Sequence, residues 1–330
     1  MALSERGPQG LWLAIVNPAA GGGRCGRRAP AALAALRASL ARTGETLQIA
    51  VTRSGADATR IARDAFAGGA RRFLAVGGDG TAFAIVNGLL PEAALEAHPP
   101  RRGSPEAASA GSRGAAQEPV LGFLPLGTGN SFVRDFGRDG LARGCDGLLS
   151  ERRRRVDLLR VRHRGGEVWA LGVVSLAFPA AVAALVNRRL KPLGKLGYSI
   201  GVLVEVGRLS SLTLRLALDG GEPRRESLVL LCACNNRYVG GNMRMAPGAL
   251  VDDGFLDLVT AGPVGRLELL RTFPRIFAGT HVDHPAVAVR RARSLELDLD
   301  AEVDVMIDGE SLCLWIERVD VVPGALAVAL

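Results

Sequence analysis

Three glycine-rich turns, each at the end of a short apolar run, constrain this chain more than any other feature. They are Asn17-Pro18-Ala19-Ala20-Gly21-Gly22-Gly23, Gly77-Gly78-Asp79-Gly80-Thr81 and Pro125-Leu126-Gly127-Thr128-Gly129-Asn130. The runs before them, Leu11 to Val16, Phe73 to Val76 and Val120 to Leu124, have the length and make-up of buried strands. Pro30 to Leu40, Asp57 to Phe66 and Thr81 to Leu90 read as helices, and Leu47 to Val51 as a further strand. This alternation predicts a parallel sheet with helices on its faces, in which every strand ends on the same edge, where ligands bind. Glycine lets main-chain N–H groups close around a polyanion, and a helix start behind each loop adds a favourable dipole. One such loop is an ordinary βα turn. Three in the same register point to a phosphate-bearing ligand, with Asn17, Thr81, Thr128 and Asn130 adding neutral hydrogen-bonding groups.

The second half changes character. Val156 to Val161, Val168 to Val174, Leu212 to Leu218, Leu228 to Cys234, Phe255 to Val259, Leu295 to Ile307 and Leu312 to Val319 read as strands joined by Gly- or Pro-containing links. Asp219-Gly220-Gly221 suits a hairpin turn. Leu196 to Leu209 and Leu267 to Phe277 read as flanking helices. The expected class is α/β plus β: an open parallel α/β sheet over residues 1–152, then an antiparallel β-sandwich over 153–330 whose C-terminal end is a candidate to return to the first domain. Residues 98–119, rich in Pro, Ser, Gly, Ala and Arg, read as a disordered insertion. The arginine run at 152–155 reads as a solvated linker face, with a phosphate-bearing membrane as the other option.

No apolar run is long enough to span a bilayer, and the first residues lack the apolar core of a signal peptide. A cytosolic protein that visits membranes transiently is expected. The net charge of +8 is almost all arginine, since Lys191 and Lys195 are the only lysines. Such a charge favours anionic partners without choosing among nucleotides, nucleic acid and lipid head groups. No CxxC pair occurs, and Cys232 and Cys234 alternate on an apolar run as core residues in a reducing compartment do. His281 and His284 flank Asp283, but no further ligands for a metal are evident there.

Gly21, Gly23 and Gly26 satisfy GxGxxG, yet Thr52 and Arg53 stand where a dinucleotide fold places an acid for the ribose, and no GxxxxGK[ST] occurs. The three loops together resemble instead the diacylglycerol kinase catalytic-domain family, which includes bacterial soluble lipid kinases and sphingosine kinases. The resemblance continues through Gly240-Gly241-Asn242-Met243, Ala246-Pro247, Asp252-Asp253-Gly254-Phe255-Leu256-Asp257 and Asp308-Gly309-Glu310. It implies ATP held by Asn17, Pro18, Gly21, Thr52, Gly77, Gly78, Gly80, Thr81, Thr128 and Asn130. It implies a structural magnesium on the Leu250 carbonyl, Asp253 and the Phe255 carbonyl, and Glu310 as the proton acceptor with Asp308 beside it. Asp79 and Asp157 match two members of a carboxylate–magnesium network.

The chemistry is compatible with this. Transfer to an alcohol needs the phosphate charge neutralised and the nucleophile aligned. Asp79 in a phosphate-facing loop implies a cation, magnesium, and a carboxylate beside the hydroxyl can take its proton. Taken alone, Asp308-Gly309 is also simply a hairpin turn between alternating strands. The chain departs from the family pattern at Phe83-Ala84, where Asn-Glu is common, and at Ser131, where an aspartate is common. The expected function is therefore an ATP-dependent kinase for diacylglycerol or a related lipid. A catalytically weakened nucleotide- or lipid-binding homologue, a kinase for a soluble hydroxyl compound and an NADP oxidoreductase are the alternatives. The expected partner is a lipid at a membrane surface, met through the basic and apolar segment Asn187 to Ser199, with the lipid tails in a cleft lined from Leu171 to Leu185 and Ile200 to Leu209. Nucleic acid is not expected, and a homodimer is left open.

Overall fold

The computed structural model describes residues 10–96, 118–137, 145, 148–149, 152–190 and 194–329. The first half runs β1 (Leu11–Val16), α1 (Arg24–Arg42), β2 (Thr46–Val51), α2 (Gly55–Ala67), β3 (Arg72–Gly77), α3 (Asp79–Glu96), β4 (Val120–Pro125) and the short α4 (Ser131–Arg134). Strands β2-β1-β3-β4 are parallel neighbours in that order. β1, β3 and β4 are apolar almost throughout because helices cover both of their faces.

On one face, α1 presents Cys25, Ala29, Leu33, Leu36 and Leu40 at spacings of three and four to Trp12, Ala14, Val16, Leu74 and Val76. On the other, α2 and α3 cover Leu13, Ile15, Phe73 and Ala75. The Ser54 hydroxyl caps α2 by accepting the amide of Asp57 at 3.1 Å. A side chain at Gly88 would collide with the Thr59 carbonyl, so α3 can approach α2 closely only with glycine there.

The second half runs β5 (Arg153–His163), β6 (Gly166–Ala170), β7 (Val173–Ala177), α5 (Phe178–Leu185), a π-helical turn (Val186–Leu190), α6 (Gly194–Gly207), β8 (Leu212–Leu218), β9 (Arg224–Leu228) and β10 (Leu230–Cys234). Next come β11 (Tyr238–Val239), β12 (Met243–Arg244), β13 (Leu256–Ala261), α7 (Arg266–Thr272), α8 (Arg275–Ala278) and a 3-10 turn (Thr280–Asp283). The chain ends with β14 (Val287–Ala292), β15 (Ser294–Asp298), β16 (Val303–Ile307), β17 (Glu310–Leu314) and β18 (Ile316–Ala329).

An antiparallel sheet in the order β14-β13-β10-β7-β16-β17 faces a layer made of β5, β6, β18, β15, β8 and β9. Their inner faces, among them Leu159, Val161, Leu176, Leu216, Leu231, Leu258, Leu295, Val305 and Val319, form the sandwich core. The protein is thus a parallel α/β sheet followed by an antiparallel β-sandwich. The layers are continuous, because β18 pairs antiparallel with β15 in its first part and with β5 from Ile316 to Ala329, while Ala327–Ala329 also pairs parallel with β4 on the other side.

Three expected strands prove to be two each. Leu295 to Ile307 divides because β15 belongs to one sheet and β16 to the other, and Leu312 to Val319 divides in the same way between β17 and β18. Val168 to Val174 divides between β6 and β7 at Leu171-Gly172, whose amides turn to a carboxylate described below. Pro274 splits the expected helix Leu267 to Phe277 into α7 and α8. Most of the expected insertion at 98–119 lies outside the described residues. No helix among the described residues is long and apolar enough to cross a membrane.

Candidate active site

The three glycine loops converge. A side chain on Gly21, whose φ is +64°, would meet the Leu126 carbonyl at 2.6 Å, and Gly78 and Gly127 approach backbone to backbone. Leu126 and Gly127 both donate to the Gly77 carbonyl at 2.7 Å. Arg24, at the start of α1, donates to the Gly127 carbonyl at 2.8 Å and so joins the first loop to the third. Gly21, Gly22 and Gly23 all have positive φ, and nothing lies within 4 Å of where a Gly22 side chain would point. This is an open cradle of main-chain amides at the head of α1.

The expected ligands occupy different states around that cradle. Thr81 is buried with a hydroxyl that has no partner, and buried Asn130, in the left-handed region, has an unpartnered Oδ1. Thr128 is exposed. Asn17 Oδ1 accepts the Ala19 amide at 3.1 Å, and the Pro18 carbonyl accepts the Gly26 amide at 3.0 Å. Thr52 is buried and donates its hydroxyl to the Val16 carbonyl at 3.1 Å, so it braces the strand ends behind the loops. Orphaned polar atoms, glycines that would clash if enlarged and the open first loop fit a bound triphosphate.

Asp79 sits below the third loop. Its carboxylate accepts the amides of Ser131 at 3.0 Å and Phe132 at 3.3 Å, and the Ser131 hydroxyl also reaches it. Desolvation raises its pKa, against the lowering effect of these bonds. Asp79 therefore holds α4 in place.

The β-sandwich contributes the other wall. Asp308 and Gly309, with φ of +50° and +88°, make the two-residue turn between β16 and β17, in which Ile307 pairs with Glu310. Asp308 accepts amides from Leu171 at 2.6 Å, Gly172 at 2.8 Å and Val173 at 3.0 Å. Desolvation pushes its pKa up to about 6 despite those bonds, and the charge of Asp79 adds to the rise. Glu310, one residue past the turn, lies against Gly80 of the second loop, where any side chain would collide with its Oε1. Of the three carboxylates expected to act, Glu310 alone is not gathered up by backbone amides.

Of the donors expected for a structural magnesium, the Asp253 carboxylate is already engaged by the chain. Asp253 Oδ1 accepts the Phe255 amide at 3.0 Å, and Oδ2 pairs with Arg291. The Arg291 guanidinium lies 4.6 Å from the centre of the Phe255 ring and 4.0 Å from Asp257, its partner across the β13–β14 ladder. A cation is thus already supplied by the chain. Asp157 is also taken: its oxygens accept the amides of Gly324 at 2.7 Å and Gly254 at 2.6 Å. Among the described residues no group of three or more His, Cys, Asp or Glu side chains is arranged to hold a metal. Buried His281 bonds to the Met245 carbonyl, and His284 pairs with Glu268.

Several bonds join the two walls through residues the sequence did not single out for this task. Ser131 Oγ accepts the Gly241 amide, Asn236 donates to the Ser131 carbonyl, and Arg237 pairs with Asp135.

The first half, residues 11–161, matches the family model described as Diacylglycerol kinase catalytic domain, and residues 172–330 match YegS C-terminal NAD kinase beta sandwich-like domain. A protein named Diacylglycerol kinase from Mycobacterium tuberculosis is 35% identical over 211 residues, which are 63% of this chain and 68% of that protein. One named "Probable lipid kinase YegS-like" from Stenotrophomonas maltophilia is 30% identical over 292 residues, 87% of each chain. A crystal structure of a Bacillus anthracis diacylglycerol kinase shares the fold with a TM-score of 0.66 at 20% identity, over 97% of this chain and 96% of that one. Another from the same organism reaches a TM-score of 0.73 at 23% identity, over 99% and 96%.

Proposed function

The chain belongs to the diacylglycerol kinase catalytic-domain family, and from that premise we propose that it is an ATP-dependent lipid kinase that phosphorylates a hydroxyl of diacylglycerol or a related lipid. One observation carries the proposal: a carboxylate from the β-sandwich, Glu310, lies directly against Gly80 in the glycine cradle of the other domain. The amides of the three loops, with Thr81 and Asn130, bind the phosphates. Magnesium bound with the nucleotide would supply positive charge against those phosphates. Glu310 accepts the proton of the lipid hydroxyl as its oxygen bonds to the γ-phosphorus and the bond to the departing ADP breaks. Asp308 and Asp79 act as positioning residues, the first by fixing the turn that presents Glu310 and the second by fixing α4. The protein works in the cytosol and meets its substrate at a membrane surface.

The test is incubation with labelled ATP, magnesium and a total lipid extract, followed by identification of the product by mass. A new phospholipid that grows with time is the expected result. ATP binding with no labelled lipid would leave a non-catalytic homologue. Label appearing only on a soluble hydroxyl compound would replace the substrate class.

A further inference from the structure

We infer that a hollow on the outer face of the β-sandwich binds a small soluble zwitterion, with a phosphate at one end and an ammonium at the other. The hollow is separate from the transfer cleft: none of its lining residues belongs to the glycine loops or to the Asp308–Gly309 turn. The inference therefore holds whether or not the chain phosphorylates a lipid.

The hollow has a volume of about 420 Å³ and lies over β8, β15 and β18. Leu216 and Leu297 point into the sandwich core, so their neighbours Arg215, Ala217, Glu296 and Asp298 point outward. Ala217 stands opposite Glu296, Glu296 opposite Arg318, and Arg318 opposite Arg162 of β5. In this row of long side chains the alanine methyl leaves a space, which Pro223, just before β9, borders on the other side.

One side of the hollow is prepared for an anion. Buried Asp320 accepts Arg162 at 2.5 Å and Arg318 at 2.6 Å, with Arg160 at 3.6 Å. Arg318 also reaches Glu296 at 2.7 Å. These bonds use Nε and Nη2 of Arg162 and Nε and Nη1 of Arg318, so each guanidinium keeps N–H groups to offer. Two arginines held in place by a buried carboxylate form a preorganised phosphate site. Arg215 adds a third charge. It faces Arg225 across the β8–β9 ladder, and it pairs with no carboxylate among the described residues. Like charges directly opposite weaken a ladder, and a bound anion relieves them.

The other side is acidic. Asp298 is exposed and pairs with no basic side chain among the described residues. Glu317 joins it through a bulge: the pairing of β18 with β5 shifts between Ile316 and Arg318, so Glu317 is the extra residue. Such a bulge re-aims a side chain, and here it brings the carboxylate to the hollow, where it meets Arg164 only at 3.9 Å. A bare phosphate would lie against Glu296, Asp298 and Glu317, and a bare amine against three guanidiniums. A molecule carrying both charges satisfies both sets. Its phosphate sits on Arg162 and Arg318, and its ammonium on Asp298 and Glu317.

The test is calorimetric titration of the whole protein with phosphoethanolamine, with inorganic phosphate and ethanolamine titrated separately. Phosphoethanolamine should bind one to one and about tenfold or more tighter than either half alone. D298N/E317Q keeps the guanidiniums and should reduce its affinity to that of inorganic phosphate. A217L fills the hollow without altering any charge and should abolish binding. Circular dichroism checks that each variant is folded, and D298N/E317Q decides the matter if A217L does not fold. The inference is overturned if wild type ignores phosphoethanolamine at millimolar concentration, if inorganic phosphate binds as tightly, or if either folded variant binds as wild type does.

Discussion

The hydroxyl of Ser131 accepts the amide of Gly241 at 2.9 Å, across the junction between the α/β sheet and the β-sandwich. The same residue sends its own amide to Asp79 at 3.0 Å, so one residue fastens the third glycine loop, the acid beneath it and the opposite wall. Ser131→Ala should cost about 1–2 kcal/mol of stability, because it leaves the Gly241 amide without its acceptor. Ser131→Asp restores an acceptor but sets a second carboxylate beside Asp79, whose pKa burial already raises. Its stability should therefore fall more steeply from pH 5 to pH 8 than that of wild type. Urea unfolding of the three proteins across pH checks both statements, and coincident curves would remove Ser131 from the junction.

Glu310→Gln should lower kcat by about 10² or more with little change in ATP affinity, the pattern of a lost proton acceptor. Gly80→Ala should be similarly inactive for a different reason, since the new methyl group occupies the space of the Glu310 carboxylate. Calorimetric titration of ATP alongside the rate measurement separates binding from transfer. Full turnover in Glu310→Gln would move the base elsewhere.

Asp308 makes a prediction about pH. Its carboxyl titrates near 3.8 when exposed and at about 6 in the fold. A raised folded value means that the native state holds the proton more tightly than the unfolded chain. The stability contributed by this group is therefore greatest below its unfolded value and declines as pH rises towards about 6. Asp308→Asn should remove that part of the decline. It should also cost about 1–3 kcal/mol relative to the ionised carboxylate's hydrogen bonds, because an amide cannot accept all three amides of Leu171, Gly172 and Val173. Subtracting the variant's stability from that of wild type at several pH values isolates the effect from Asp79, Asp157 and Asp257, whose pKa values also rise through burial.

Arg291 pairs with Asp253, the one carboxylate that the family resemblance assigned to a metal ion. Without nucleotide, EDTA should shift the melting temperature of the wild-type protein by less than about 1 °C. Arg291→Ala should lose about 1 kcal/mol, from the exposed pair with Asp253 and the stacking on Phe255. Millimolar magnesium should restore part of that loss, since Asp253 and Asp257 would then lack the Arg291 guanidinium. A wild-type protein destabilised by EDTA would show that a bound metal, and not the arginine, supports this loop.

The α/β half was the more legible part of the sequence. β1 was located to the residue, and the three loops announced their convergence, because apolar runs ending in glycine leave few alternatives to strand ends on one sheet edge. Glu310 was legible through the family pattern, and its position against Gly80 is a matter of folding that no spacing reports. What stayed hidden depends on distant pairing. Ser131 meets a residue 110 positions away, and Asn187 meets the Glu310 turn over 122. The division of Leu295 to Ile307 between two sheets was masked by its uniform alternation, which suits a strand in either layer. The commitment of Asp253 to Arg291 was equally hidden, since an acidic loop looks the same whether a metal ion or a distant guanidinium neutralises it.

The pairing of Ala327–Ala329 with β4 has a consequence for how the molecule is made. The sheet that carries the glycine loops gains its fifth strand from a segment made after the rest of the sandwich. On the ribosome, β4 therefore waits with one side bare while the strands between it and β18 are translated, and the edge that holds the glycine cradle is completed late, only when β18 sews the two halves together.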